Sequence, residues 1–397
     1  MCGVNKQFLW FVLGLGSWFG SWGMQSVLFA WLVVGELHAS PEWVSAAQTS
    51  SMLPSLFLLL YGGLIADRAD PRKVLLRLQA AACLPVLTLS YIVASGDLRV
   101  MHLIVFGLVM GSITAFTMPA RDALLSRVAG GNIMHAITVL TAVQFGAQAA
   151  GSLLAGAASR VGSVNMLWAQ AVLLLCGTAA LSRLHPAPAA MHVSPRGSAL
   201  RDISLGLREV ARTPNLRAPL LLVLAVGALF VGPFLVLFPL LVRDHYGGDV
   251  GSLSLVLMMF PLGTISGSLG MRAAGGIRRK GLASLLALLV GAANLAAIGS
   301  GLPFAGMVAA TFFWGLGGAV FINCSRTIYQ EAAPAAHRGR VLSVYQLAFM
   351  GGAPLGALLA GIAGQQVGSL HALWFFSSGM LVFVAMSWTF TGLAAME

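Results

Sequence analysis

Only 9% of this 397-residue sequence is Asp, Glu, Lys or Arg, so each side chain able to carry a proton or pair with a charge stands out. Asp122 follows Arg121 at the end of one apolar stretch. Arg326 stands 205 positions after Arg121, with Glu331 close behind, and Glu36 stands at the end of the first apolar stretch. Two chemistries are open. An acid set deep among apolar helices is a candidate proton relay, which would make Asp122 or Glu36 a coupling residue. Alternatively Arg121, Asp122, Arg326 and Glu331 are gate or interface charges that pair with the loop around Asp67. A proton carrier must be reachable from both sides. All of these residues lie at stretch ends, so the gate is the favoured reading. Cys2, Cys83, Cys176 and Cys324 have no metal or redox spacing. No Gly-rich loop with a Lys is present to cradle nucleotide phosphates, and no nucleophile–base pair lies in mid-stretch. No metal, cofactor, ATP hydrolysis or enzymatic activity is expected.

Neutral groups remain. Ser17, Ser21 and Gln25 recur at four-residue steps, with Trp18 and Trp22 as the adjacent stripe. On a helix this makes one face polar and the next aromatic. Gln144 and Gln148 are also four apart, as are Phe230, Phe234 and Phe238; Trp314, Asn323, Tyr345 and Gln346 complete the set. A Gln in an apolar helix either bonds a neighbouring helix or meets a ligand. The three Phe residues suit packing or lipid contact better than binding. Trp18 and Trp22 lie too deep in their stretch for an interfacial belt, which points them to a cavity.

The elements that must hold these side chains are twelve long apolar stretches, near 8–34, 43–65, 75–94, 100–118, 136–158, 164–182, 218–242, 250–271, 281–299, 303–323, 341–364 and 370–392. With 58% apolar residues and few charges, against about 25% charged in a soluble domain, the chain has to take a bilayer as its solvent. Crossing one takes about 20 apolar residues in a helix. The second six stretches copy the first six. Arg121 falls on Arg326, Gly62 on Gly267, Leu64 on Leu269, Gly146 on Gly351 and Gly156 on Gly361, each 205 positions apart. The expected fold is an all-α membrane protein of twelve transmembrane helices, two six-helix pseudo-repeats around a central cavity. Its domains are 1–182, an N-terminal bundle; 183–217, a cytoplasmic linker with an amphipathic helix; and 218–397, a C-terminal bundle.

With the N-terminus inside, the inner segments carry all the Lys and Arg except Arg99, Arg160 and Arg243. The positive-inside rule then places both termini in the cytoplasm. The net charge of +11 is spread over short loops, which suits anionic lipid head groups at the cytoplasmic face and not nucleic acid. In the linker, Leu200, Ile203, Leu207 and Val210 oppose Arg201, Arg208, Glu209 and Arg212, a pattern for a helix lying on the membrane surface. Gly146, Gly151 and Gly156, with Gly351, Gly356 and Gly361, are expected to be helix-contact stripes.

The loop after the second stretch reads Gly62-Gly63-Leu64-Ile65-Ala66-Asp67-Arg68-Ala69-Asp70-Pro71-Arg72-Lys73. It resembles the signature loop of the major facilitator superfamily, G-x-x-x-D-R-x-x-x-R-K, in that family's position. The second half carries a degraded copy in which Arg272 takes the place of Asp67. Ala39-Ser40-Pro41, Pro54 and Met118-Pro119-Ala120-Arg121-Asp122 resemble, within the superfamily, the branch of enterobactin exporters and macrolide efflux proteins. The resemblance implies a cytoplasmic latch in which Asp67, Arg68, Arg72 and Lys73 meet the eleventh helix, which begins near Arg340. It also implies a cavity lined by helices one, four, seven and ten, with five, eight and eleven beside them. Trp18, Ser21, Trp22, Gln25, Gln144, Gln148, Phe230, Phe234, Trp314, Asn323, Tyr345 and Gln346 would then face cargo.

Two departures bear on coupling. Drug–proton antiporters of the family carry R-x-x-Q-G in helix four and Gly-Pro in helix five. Here the stretches read Gly107-Leu108-Val109-Met110-Gly111 and Gly146-Ala147. The implied function is export of an amphipathic or aromatic small organic molecule, siderophore-like or drug-like, by alternating access. The driving force would be an ion gradient, with protons the candidate ion, and the setting a bacterial-type inner membrane. A monomer is expected. A lipid or lysophospholipid flipping carrier, or a substrate sensor that does not transport, are the alternatives.

Overall fold

In the computed structural model the backbone is described for residues 6–129, 133–185, 199–332, 338–391 and 393. Side chains are described in these stretches except at 59–68, 133–135, 137, 199–203, 214, 215, 218, 338–340 and 390. The described residues are helical with no strand. The long helices are Lys6–Trp31, Pro41–Arg68, Pro71–Ser95, Val100–Val128, Ile133–Ala155 and Ser163–Ser182, then Pro214–Asp244 as three joined segments, Val250–Ala273, Lys280–Gly299, Phe304–Ala332, Arg338–Val367 and Ser369–Phe390. They are the first to twelfth spans below. Ten of the described helices are long and apolar enough to cross a membrane. Lys6–Trp31 and Pro41–Arg68 are not among the ten. The first carries the Ser, Trp and Gln stripe, and the second carries Ser45, Gln48, Thr49, Ser50 and Ser51.

Local chemistry sets the helix ends. Asp70 accepts a hydrogen bond from the Arg72 N–H and precedes Pro71, an N-cap followed by a proline whose missing N–H costs nothing there. The same helix stops at Gly96, whose φ of 78° favours glycine. The seventh span is broken by a π-helical turn at Gly227–Val231, just before Pro233. The Gly232 N–H bonds back five residues to Gly227, the register shift expected of a π-turn.

The chain divides into two compact units. One comprises Met1–Leu37, Ser50–Gly197 and Asp249–Met258; the other comprises His38–Thr49, Ser198–Gly248 and Met259–Glu397. Inside the first unit the first span packs on the fifth and sixth, and the third on the fourth and sixth. Inside the second, the seventh packs on the eleventh and twelfth, and the ninth on the tenth and twelfth. The sequence repeat is therefore a repeat of packing.

Glycine allows the closest of these contacts. A Cβ on Gly151 would lie 1.9 Å from the Gly20 carbonyl oxygen, and one on Gly356 would lie 2.0 Å from that of Ala228. The expected glycine contacts are found at Gly151, Gly156, Gly356 and Gly361, and Gly146 departs from them. A Cβ on Gly146 would meet nothing within 4 Å, whereas one on Gly156 would strike Ser254 of the eighth span at 2.6 Å. Five residues turn a helix well past one full turn, so glycines spaced by five face different neighbours. The linker helix, Ala199–Arg212, packs on the seventh and eleventh spans, with Val210 buried and Leu207 exposed.

Candidate functional site

In the first unit the polar and aromatic stripes of the first span come together. Trp18, Ser21, Trp22 and Gln25 line one small cavity with Met110 and Thr114 of the fourth span. Its volume is about 10 Å³, room for at most one water. Two buried polar atoms here have no hydrogen-bond partner among the described residues, the indole N–H of Trp18 and Oε1 of Gln25. One is a donor and the other an acceptor. Leaving such a group unsatisfied costs about 1–3 kcal/mol. Trp22 is 39% exposed beside them, and Trp18 is buried.

The rest of the stripe is used inside the unit. Ser17 accepts from Gln79 Nε2 at 3.2 Å, and Ser21 accepts from Gln170 Nε2 at 3.2 Å. Gln79 and Gln170 are both buried. The sequence reading missed both, because neither has a polar neighbour one turn away to mark a face. Gln144 accepts from Arg121 Nη1 at 3.2 Å, and Gln148 is half-buried.

In the second unit the aromatic residues form a single cluster around Trp314. Its ring lies 5.3 Å from Phe230, 5.6 Å from Phe234 and from Phe238, and 5.7 Å from Phe260, measured between centroids. Phe260 is a member that the sequence reading missed; it has no aromatic partner at helical spacing in its own span. Glycines make room for the rings. A Cβ on Gly291 would lie 2.7 Å from Phe230, and one on Gly318 would lie 3.0 Å from Phe260. Phe230, Phe238 and Trp314 are buried, while Phe234 is half-buried. Tyr345 is not in this cluster. Its hydroxyl lies 3.0 Å from that of Ser325, and its ring stacks edge-on with Tyr329, whose hydroxyl donates to the Leu216 carbonyl at 2.9 Å. Gln346 is exposed. Asn323 donates to Ser268 at 3.4 Å, beside a separate basic cavity.

The charged residues pair within each unit. Arg121 holds Asp122 at 2.8 Å and lies over the Phe19 ring at 5.7 Å; Arg121 is 17% exposed and Asp122 is 63% exposed. Glu331 pairs with Lys280 at 2.8 Å. Arg72 donates to the carbonyls of Leu181 and Ser182, where a cation meets the negative end of the sixth span. Glu36 accepts from Ser163 at its helix end. Lys73 and Arg326 are exposed. Gly62, Asp67, Arg68 and Arg340 lie outside the residues whose side chains are described. Outside the spans, a hydrogen bond from the Ser252 backbone holds the Asp249 carboxyl below its usual range, and burial raises the Tyr246 phenol. Among the described residues no group of His, Cys, Asp and Glu could hold a metal ion.

A family model described as Major Facilitator Superfamily matches residues 11–357. "Multidrug efflux pump Tap" of Mycolicibacterium fortuitum is 29% identical over 366 residues, covering 88% of this chain and 87% of that one. The protein of that name from Mycobacterium tuberculosis (strain ATCC 25618 / H37Rv) is 30% identical over 366 residues, with 88% and 85% covered. Among solved structures, a D-xylose-proton symporter superposes with a TM-score of 0.76 at 12% identity, covering 98% of this chain and 99% of that one. The nucleoside transporter NupG superposes with a TM-score of 0.75 at 14% identity, covering 96% and 98%. At such identity these two speak for the fold alone.

Proposed function

We propose that this chain, which belongs to the Major Facilitator Superfamily, exports an amphipathic or aromatic small organic molecule by alternating access, driven by an ion gradient. It is a multi-pass membrane transporter and not an enzyme. One observation carries the choice of cargo: the unpartnered Trp18 N–H and Gln25 Oε1 beside the half-open Trp22 ring. A ligand that accepts from the first, donates to the second and stacks on the third would satisfy both orphans and cover apolar surface. The Trp314 cluster, with Phe234 half-open, offers a second aromatic surface in the other unit. Among the described residues no ionised side chain lines the first cavity, which suits uncharged or delocalised aromatic cargo better than a sugar phosphate or a metal ion. The efflux relatives support the outward direction.

Asp122 acts in this reading as a gate charge. Its ion pair with Arg121 and its exposure suit a pair that forms and breaks as the protein cycles. The loop charges support an inner-membrane setting with both termini in the cytoplasm. Quenching of tryptophan fluorescence by a panel of aromatic drugs and siderophore-like catechols tests the cargo assignment. Trp22→Ala and Gln25→Ala should weaken binding about tenfold, ~1.4 kcal/mol, while Trp10→Ala near the helix end leaves it unchanged. Equal, negligible effects of all three would remove the first span from the site.

A further inference from the structure

The second unit holds a larger cavity, about 240 Å³, at the ends of the eighth, ninth and tenth spans. Its polar lining is Ser268 and Arg272 one turn apart on the eighth span, Asn323 and Thr327 one turn apart on the tenth, and Lys280 opening the ninth. Met271 and Ile277 form an apolar wall. Four features make it a receptor for an anion. Arg272 has no ion-pair or hydrogen-bond partner among the described residues, and it stands where the first half of the repeat has Asp67. Lys280 lines the cavity as well, paired with Glu331 at 2.8 Å. Arg279, at the N-cap of the ninth span, has no acceptor to offer and makes no side-chain cap bond, and the positive end of that helix adjoins the cavity at Lys280. The turn between the spans passes through Gly275 and Gly276 at φ of 77° and 92°, which brings Ile277 and Lys280 back over the eighth span without a bulky loop.

We propose that this cavity binds a phosphate-bearing anion, and that its source is the head group of an anionic membrane lipid. The guanidinium of Arg272 can grip two phosphate oxygens at once, with Lys280 as a point charge opposite. Asn323, Ser268 and Thr327 are placed to bond the remaining oxygens or a glycerol hydroxyl. At ~30 Å³ for each water-sized share of volume, the cavity holds about eight such shares, enough for a phosphate with a short polyol. This site shares no residue with the Trp18–Gln25 cavity, so it stands or falls independently of the transport reading.

The test is native mass spectrometry of the full-length protein released from nanodiscs of phosphatidylcholine doped with phosphatidylglycerol, with inorganic phosphate as the second probe. One phosphatidylglycerol per chain should be retained over phosphatidylcholine, and Arg272→Gln or Lys280→Gln should reduce retention at least ~10-fold, whereas Arg217→Gln should not. Saturable binding of phosphate alone, competing with the lipid, would keep the site and reassign its source to a free anion. No saturable binding of either anion, or binding undiminished in both variants, would overturn the assignment.

Discussion

Replacing Gln25 by Met removes the orphaned acceptor while keeping the side chain unbranched and nearly the same size. Gln25 and Trp18 share a cavity of about 10 Å³, and neither orphan has a partner among the described residues. A single water fits at most, and one water cannot restore the full set of bonds that both groups enjoy in bulk solvent. Their cost in the empty protein is therefore about 1–3 kcal/mol each. Gln and Met have similar helix propensity, so the backbone term cancels. Gln25→Met should leave the thermal unfolding midpoint of the empty, purified protein unchanged or raise it, by about 1 kcal/mol in free energy. Cargo affinity should move the other way, falling about tenfold, ~1.4 kcal/mol, because a donor on the cargo then loses its acceptor. The assay is thermal unfolding in detergent, with and without a saturating aromatic ligand, alongside fluorescence quenching. A lowered midpoint with unchanged affinity would refute the reasoning and make Gln25 a packing residue.

Gly151→Val should destabilise the first unit by about 1–3 kcal/mol through overpacking against the Gly20 carbonyl, while Gly146→Ala should be neutral; equal midpoints for the two variants would contradict the contact. Asp122→Asn should lower gradient-driven efflux and passive exchange together, read in proteoliposomes; selective loss of driven efflux would make Asp122 the proton carrier. Asp249 accepts from the Ser252 N–H at 2.9 Å at the start of the eighth span, so Asp249→Ala should cost about 1 kcal/mol at neutral pH. The folded carboxyl titrates below its ordinary range. The wild-type advantage is therefore full above that range and fades as pH falls through the lowered pKa; an advantage that persists unchanged in strong acid would show the capping account to be wrong.

The twelve spans were legible because a bilayer imposes a length and an apolar content that few other folds share, and the repeat was legible because five landmarks kept one offset. The stripe of Ser17, Trp18, Ser21, Trp22 and Gln25 was also legible, since helical spacing alone puts those residues on adjoining faces. What lies opposite a face is a tertiary fact. Periodicity within one span could not say that Gln79 and Gln170 would engage Ser17 and Ser21 and leave Trp18 and Gln25 unpartnered. Phe260 joined the Trp314 cluster from a span with no aromatic stripe. The glycines at five-residue spacing do make close contacts at Gly151, Gly156, Gly356 and Gly361, but the helix period is 3.6, so they meet different spans and Gly146 turns to open space. Arg272 and Lys280 read as ordinary loop charges until the fold set them beside Asn323 and Thr327.

The most direct test of the central claim is efflux from proteoliposomes holding the purified protein and a fluorescent aromatic cargo, with and without an imposed pH gradient. The account predicts saturable, gradient-accelerated movement of cargo against its concentration difference, slowed about threefold in Trp22→Ala at cargo levels a few-fold above wild-type half-saturation. Cargo movement no faster than in empty liposomes, with or without the gradient, would contradict it.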